Sequence, residues 1–251
     1  MGTFTSTSTS TSAIPTIDLS LWRAGLPRTR DRLATTVDRA LQQSGFLLIT
    51  GHGVPRGLPE GIRAAARAFF RQPAEAKMPF LKKPREYGWS GPKAVATGRA
   101  EGAVTPPDLV ETWSAGPCPH HSGAGHDHLL PASWPPRTRS PYPAPLPSLQ
   151  CLIADYTHRM HALADELLQL LAAALGQPLD FFTRHTARPD WTLTLNWYPA
   201  IAMTGAPEPG QFRVGPHTLV ESLPAPIGRV SHPPITARSY VRSKLAEITL
   251  T

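Results

Sequence analysis

A single apolar stripe running from Leu149 to Leu175 constrains this chain more than any other feature. Leu149, Leu152, Ile153, Tyr156, Met160, Leu163, Leu167, Leu171 and Ala174 recur at helical spacing, and Gly176 and Pro178 end the pattern. Such a face has to be buried, so the stripe marks a core helix. The 251 residues are 41% apolar, ample for a substantial core, which excludes disorder of the whole chain. The length is generous for one domain without demanding two.

Shorter elements surround that helix in the sequence. Residues 2–12 are a Thr/Ser tract expected to lack fixed structure. Ile14 to Leu19 reads as extended, because Pro15 withholds a backbone donor and the isoleucines alternate. From about Arg28 to Ser44, Leu33, Val37 and Leu41 keep helical spacing, and Gly45 sits where a helix-ending glycine belongs. Phe46 to Thr50 reads as a buried strand closed by the turn Gly51-His52-Gly53. A second helix over Leu58 to Arg71 would bury Ile62, Ala66, Phe69 and Phe70. Prolines dominate from Pro79 to Pro147 and predict long loops with one strand near Leu109 to Ser114. Thr192 to Tyr198 alternates as a strand, and Thr236 to Ile248 predicts a terminal helix burying Tyr240, Val241, Leu245 and Ile248. No internal repeat is visible.

Composition narrows the partners. The chain carries 25 Lys+Arg against 18 Asp+Glu, a net +7, yet the cations are scattered and only Lys82, Lys83 and Arg85 cluster. No nucleic-acid partner is expected from so dispersed a charge, although the excess suits an anionic substrate such as a dicarboxylate. No apolar run approaches the roughly 20 residues of a membrane helix. The N-terminus shows neither the basic nor the apolar region of a secretory signal. Two cysteines, Cys118 and Cys151, form no disulfide framework, so a cytoplasmic location is expected.

Cys118, His120, His121, His126, Asp127 and His128 crowd together and raise the question of a metal site. Their spacing fits no zinc motif, and Gly123 and Gly125 make assembly costly in entropy, so an exposed loop is the simpler reading. His158 and His161 lie off the apolar stripe and are expected to face solvent. His52 reads as a turn residue.

Several segments, in order, resemble the isopenicillin N synthase-like oxygenases. They are Ile14-Pro15-Thr16-Ile17-Asp18-Leu19-Ser20; Gly45 to Val54; and the Phe69-Phe70 helix running to Lys77. Tyr87-Gly88-Trp89-Ser90-Gly91 and Asp108 to Gly116 follow. Asn196-Trp197-Tyr198-Pro199 and Gly215-Pro216-His217-Thr218 complete the series. The resemblance implies an α+β chain: an N-terminal helical and strand region on a double-stranded β-helix, or jelly roll. It also implies iron(II) held by a His-x-Asp pair and a distant His, with positions open for 2-oxoglutarate and dioxygen. An Arg-x-Ser pair would hold the far carboxylate of 2-oxoglutarate. Carried over by position, His217 matches the first metal ligand, and Asn196 and Tyr198 match an Asn-x-Tyr pair near the co-substrate.

The resemblance fails after His217. Leu219 stands where the aspartate is expected, and its bulk also argues against a halogenase-like site, where Gly or Ala admits halide. Only His232 follows, between Ser231 and Pro233, and no Arg-x-Ser is found; Arg238-Ser239 and Arg242-Ser243 are adjacent pairs. Leu219 onward resembles the family's closing tail. Only 19 positions separate His217 from Thr236, whereas finishing a jelly roll takes roughly 40 residues. The expectation is a jelly roll that is incomplete in this chain, lacking the segment after the first iron ligand.

Three regions are therefore expected: a 1–12 tail, a 13–145 N-terminal oxygenase region, and 146–251 with the long helix, a truncated jelly-roll core and a C-terminal helix. The implied activity is hydroxylation, desaturation or cyclisation of a small organic molecule using iron(II), 2-oxoglutarate and dioxygen. Its competence in this chain is in question. Two alternatives stand beside it. One is a catalytically inactive remnant or partner-binding protein of the same family. The other is a member needing no 2-oxoglutarate, as isopenicillin N synthase itself does not. Substrate and oligomeric state are not legible.

Overall fold

A computed structural model of the chain describes residues 14–43, 45–83, 86–94, 96, 105–117, 140–143, 147–186, 191–215 and 247–250. The order opens with β1 (Thr16–Asp18), α1 (Leu19–Arg23), α2 (Pro27–Gln43), β2 (Leu48–Thr50), α3 (Gly57–Phe70) and α4 (Ala74–Lys77). It continues with β3 (Gly88–Ser90), β4 (Glu111–Ala115), α5 (Pro147–Ala174), β5 (Leu193–Trp197), α6 (Ile201–Thr204) and β6 (Glu247–Leu250). Two compact units result, one within residues 1–53 and 162–186, the other within 54–161 and 187–251. The division falls inside α5 and so cuts across the linear regions 13–145 and 146–251.

In the first unit β1 and β2 pair in parallel, with Ile17 opposite Ile49. The Asp18 carboxylate accepts the Ser20 backbone N–H at 2.9 Å and caps α1, a five-residue helix that the sequence pattern did not reveal. Pro27 opens α2, where its missing N–H costs nothing. Ile17, Leu19, Trp22, Ala34, Val37 and Leu170 form the core. Arg23 holds the following turn: it donates to Gly51 O at 2.6 Å and His52 O at 3.1 Å, and two of its nitrogens each reach a Glu166 oxygen at 2.6 Å. Gly51 takes φ +62°, and a Cβ there would run into the Asp18 carboxylate.

The expected buried strand over Phe46–Thr50 needs correction. Only Leu48–Thr50 pairs, and Phe46 and Leu48 are 66% and 55% exposed. Leu47 and Ile49 pack on the core while Phe46, Leu48 and Thr50 point away, the alternation of a strand covered on one face.

The second unit is built on a four-stranded sheet in the order β3-β4-β5-β6. β4 runs antiparallel to both β3 and β5, and β6 joins β5 in parallel. Glu247–Leu250 is therefore strand where a terminal helix was expected through Ile248; residues 236–246 lie outside the described residues. Helix α3 lays Ile62, Ala66, Phe69 and Phe70 on the sheet, joined by Leu149 and Ile153 of α5. Phe70 stacks on Trp197 with ring centres 5.9 Å apart and planes 5° apart. His161, expected to face solvent, is instead half-buried with its ring edge-on to Trp191 at 6.3 Å. His158 is exposed, as its place off the stripe predicts. No described helix is long and apolar enough to cross a membrane.

Candidate active-site face of the sheet

Strand register sorts the sheet residues into two chemically opposite faces. Trp89, Trp113 and Leu195 stand opposite one another across three strands, and Glu111 pairs with Trp197 two residues along. This apolar row meets α3 and α5. The intervening positions form the other face. Ser90 pairs with Thr112, Thr112 with Asn196, and Ser114 with Thr194. Directly opposed side chains on one face lie about 5 Å apart, so Ser90, Thr112 and Asn196 make a continuous polar row. Ser90, Ser114 and Asn196 are buried there, with Thr112 and Thr194 half-buried.

Asn196 and Tyr198, the positions matched to the co-substrate, fall on and just beyond β5. Tyr198 is half-buried, and the Arg213 guanidinium lies 5.5 Å from its ring centre. Arg213 also donates to the carbonyls of Tyr198 and Pro199 at 2.8 and 3.1 Å. Across from it, the same segment is bonded to the chain entering β4. Gln211 donates to Pro107 O at 2.8 Å, Leu109 N–H to Phe212 O at 2.9 Å, and Gly215 N–H to the Asp108 carboxylate at 3.1 Å. His217 lies outside the described residues, and so does the stretch from Cys118 to His128.

Hydroxyls and an amide both donate and accept hydrogen bonds, so this face can bind and orient carboxylates or alcohols. None of Ser90, Thr112, Ser114, Thr194 and Asn196 titrates near neutral pH, so these side chains supply no acid or base. The groups with shifted ionisation sit elsewhere. Burial lowers the Lys82 ammonium and raises the Tyr156 phenol, and the hydrogen bond to Glu166 raises Arg23.

Sequence reasoning missed one cluster under the opposite face. Lys77, 5% exposed, donates to Glu111 Oε2 at 2.6 Å and to Phe70 O at 3.1 Å, and Trp89 Nε1–H reaches the same Glu111 oxygen at 2.9 Å. The Lys77 ammonium also lies 5.1 Å from the Trp89 ring centre. A buried pair so completely satisfied joins α4 to β3 and β4 and is structural. The available signal was period-two alternation, which puts Glu111 on the core side with Trp113 and Ala115.

These features define a class: a helix-backed sheet presenting a polar inner face of the kind found in jelly-roll enzymes. The profile described as the non-haem dioxygenase in morphine synthesis N-terminal region matches residues 14–137. Validamycin A dioxygenase of Streptomyces hygroscopicus subsp. limoneus is 38% identical over 209 residues, covering 83% of this chain and 56% of that protein. A 2-oxoglutarate-Fe(II) type oxidoreductase of Metarhizium majus is 30% identical over 229 residues, covering 82% and 58%. Full-length Neurospora crassa T7H, solved with alpha-KG, superposes with TM-score 0.58 at 21% identity, covering 80% of this chain and 59% of that one. JOX2, solved with 2OG, Fe and JA, gives 0.53 at 24%, covering 74% and 48%. The structural likenesses show the fold, a double-stranded β-helix of which this chain holds part. The sequence of the chain is thus similar to iron(II)- and 2-oxoglutarate-dependent oxygenases. It spans a little over half the length of these two curated relatives.

Iron(II) and 2-oxoglutarate are the metal and co-substrate of that family. Among the described residues no three His, Cys, Asp or Glu side chains come together to hold a metal ion. The sequence around His217 provides one imidazole, and two residues later Leu219 offers hydrocarbon in place of a carboxylate. A facial triad needs three protein donors, and neither the described residues nor positions 217–219 supply them.

Proposed function

We propose that this fold serves the oxidation of a small organic molecule with iron(II), 2-oxoglutarate and dioxygen, and that the chain alone does not sustain that reaction. His217 is the metal-ligand position, and Asn196 and Tyr198 border the co-substrate. The similarity to validamycin A dioxygenase supports a small organic substrate, and with it a role in secondary metabolism. Two cysteines without a disulfide framework accord with the cytoplasm. The observation carrying the reading is Leu219. A lone imidazole binds a divalent ion weakly, because affinity depends on several donors held together.

Restoring the carboxylate provides the test. Leu219→Asp should tighten iron(II) binding by ~tenfold or more, about 1.4 kcal/mol, and His217→Ala should cancel the gain. Unchanged affinity in Leu219→Asp would remove His217 from the metal site. Succinate released by the unaltered chain, with iron(II), 2-oxoglutarate and validamycin A in air, would defeat the claim that it lacks turnover.

A further inference from the structure

We propose that Lys93 is a recognition residue for a carboxylate-bearing substrate at one end of the polar sheet face, with Glu208 as the partner that such a carboxylate displaces. The inference rests on the reading of that face as the substrate side of an oxygenase fold. β4 runs antiparallel to both its neighbours, so the exit of β3, the entry of β4 and the exit of β5 lie at one end of the sheet. The Ser90, Thr112 and Asn196 row lies toward that end, and none of its side chains carries a charge.

Two turns of the same kind stand there. Gly91-Pro92-Lys93-Ala94 continues directly from Ser90, and its Ala94 N–H donates to Gly91 O at 3.3 Å. Glu208-Pro209-Gly210-Gln211 closes with the Gln211 N–H donating to Glu208 O at 2.9 Å. Each has proline second and a positive φ third, the type II pattern, which favours glycine at the third place. Gly210, at φ +76°, meets that demand at little cost. Lys93 holds the equivalent place at φ +64°, and among the described residues no other non-glycine has a positive φ.

The Lys93 ammonium lies 3.9 Å from Glu208 Oε1, with the two side chains 60% and 63% exposed. So long and solvated a pair contributes less than a left-handed backbone costs a residue that carries a Cβ. The contact with Glu208 therefore does not account for a lysine where glycine would fit. Backbone strain of this kind gathers at ligand sites, and an ammonium at the end of an uncharged hydroxyl face is complementary to a carboxylate. The Glu208 turn is itself anchored. Glu208 N–H donates to Gln211 Oε1 at 3.0 Å, and Gln211 Nε2 donates to Pro107 O at 2.8 Å, beside the entry of β4. The exchange then needs only the Lys93 side chain to swing from one carboxylate to another.

Glutarate is the probe and neutral glutaramide its control, each titrated without metal into the full chain while amide signals are followed by NMR. Glutarate should bind saturably and shift the Ser90, Lys93 and Thr112 amides, and glutaramide should bind about fivefold more weakly or worse. Lys93→Gly, which suits a positive φ, should weaken glutarate about fivefold or more without lowering the thermal midpoint. Lys93→Arg should keep most of the affinity. Glu208→Gln removes the competing carboxylate and should tighten glutarate about twofold. No saturable binding of glutarate, equal affinity in Lys93→Gly, equal affinity for glutaramide, or shifts that leave Ser90 and Thr112 unmoved each overturn the proposal. 2-Oxoglutarate is titrated in parallel, and a loss in Lys93→Gly confined to it would make Lys93 a co-substrate residue, which also overturns the assignment. None of these measurements uses iron or succinate release, so a failure of the oxidation reading registers in a different experiment.

Discussion

The two faces of the β3-β4-β5 sheet share one backbone and differ in almost everything else. On one, Trp89, Trp113 and Leu195 lie in register beneath α3, with the Lys77–Glu111 pair sealed among them. On the other, Ser90, Thr112 and Asn196 occupy the alternate positions and make no aromatic cluster. The difference teaches how a family can keep its scaffold while chemistry changes. Apolar packing is concentrated on the face that meets α3 and α5, and the opposite face carries hydroxyls and an amide. The same separation lets the sheet stay well packed whatever donors stand beside it.

Breaking the apolar face should cost most. Trp113→Ala is expected to remove about 3–5 kcal/mol of stability, read as a lower guanidinium midpoint. A midpoint within experimental error of the unaltered chain would mean that the aromatic row is not what holds the sheet. Glu111→Ala comes next, at about 3 kcal/mol, because it strands a buried ammonium. Replacing Lys77 and Glu111 together by Met and Leu should recover much of that loss, since a buried pair contributes little over apolar packing. If the double replacement is as damaging as Glu111→Ala, the pair does more than satisfy itself. Thr112→Val, on the polar face, should change stability by within about 1 kcal/mol. A larger drop would contradict the division between faces.

The smallest effect concerns pH at the sheet's edge, where Lys82 donates its backbone N–H to Trp89 O at 2.8 Å. Burial lowers its ammonium below the ordinary lysine value, so the folded chain binds fewer protons than the unfolded one in the window beneath that value. Stability then rises with pH across that window, as the penalty for a buried charge is relieved. Lys82→Met should be slightly stabilising at neutral pH, with the gain fading toward alkaline pH. A gain that grew with pH would have the wrong sign.

The helices were legible because burial repeats along them. α2, α3 and α5 follow from the spacing of Val37, Ile62, Phe69 and Ile153, each buried as expected. Alternation found β5, and the expected strand near Leu109 to Ser114 is β4. What could not be read is pairing. Nothing local sets Ser90 beside Thr112 and Asn196, or brings Lys77 to Glu111, 34 residues away. The terminal helix expected through Ile248 fails at that residue for the same reason, since Ile248 pairs with Leu195 in a strand. Asn196, Tyr198 and His217 were singled out through family resemblance alone, and the burial of Asp108 escaped because a buried aspartate has no periodic signature.

The account turns on whether the metal centre assembles. Anaerobic titration of the 251-residue chain with iron(II) and 2-oxoglutarate, followed by visible absorption, tests it most directly. No charge-transfer band should develop, because one imidazole beside Leu219 does not hold iron in the geometry that chelates 2-oxoglutarate. A saturable band reaching one equivalent of iron would contradict this account and show that the missing donors come from elsewhere in the chain.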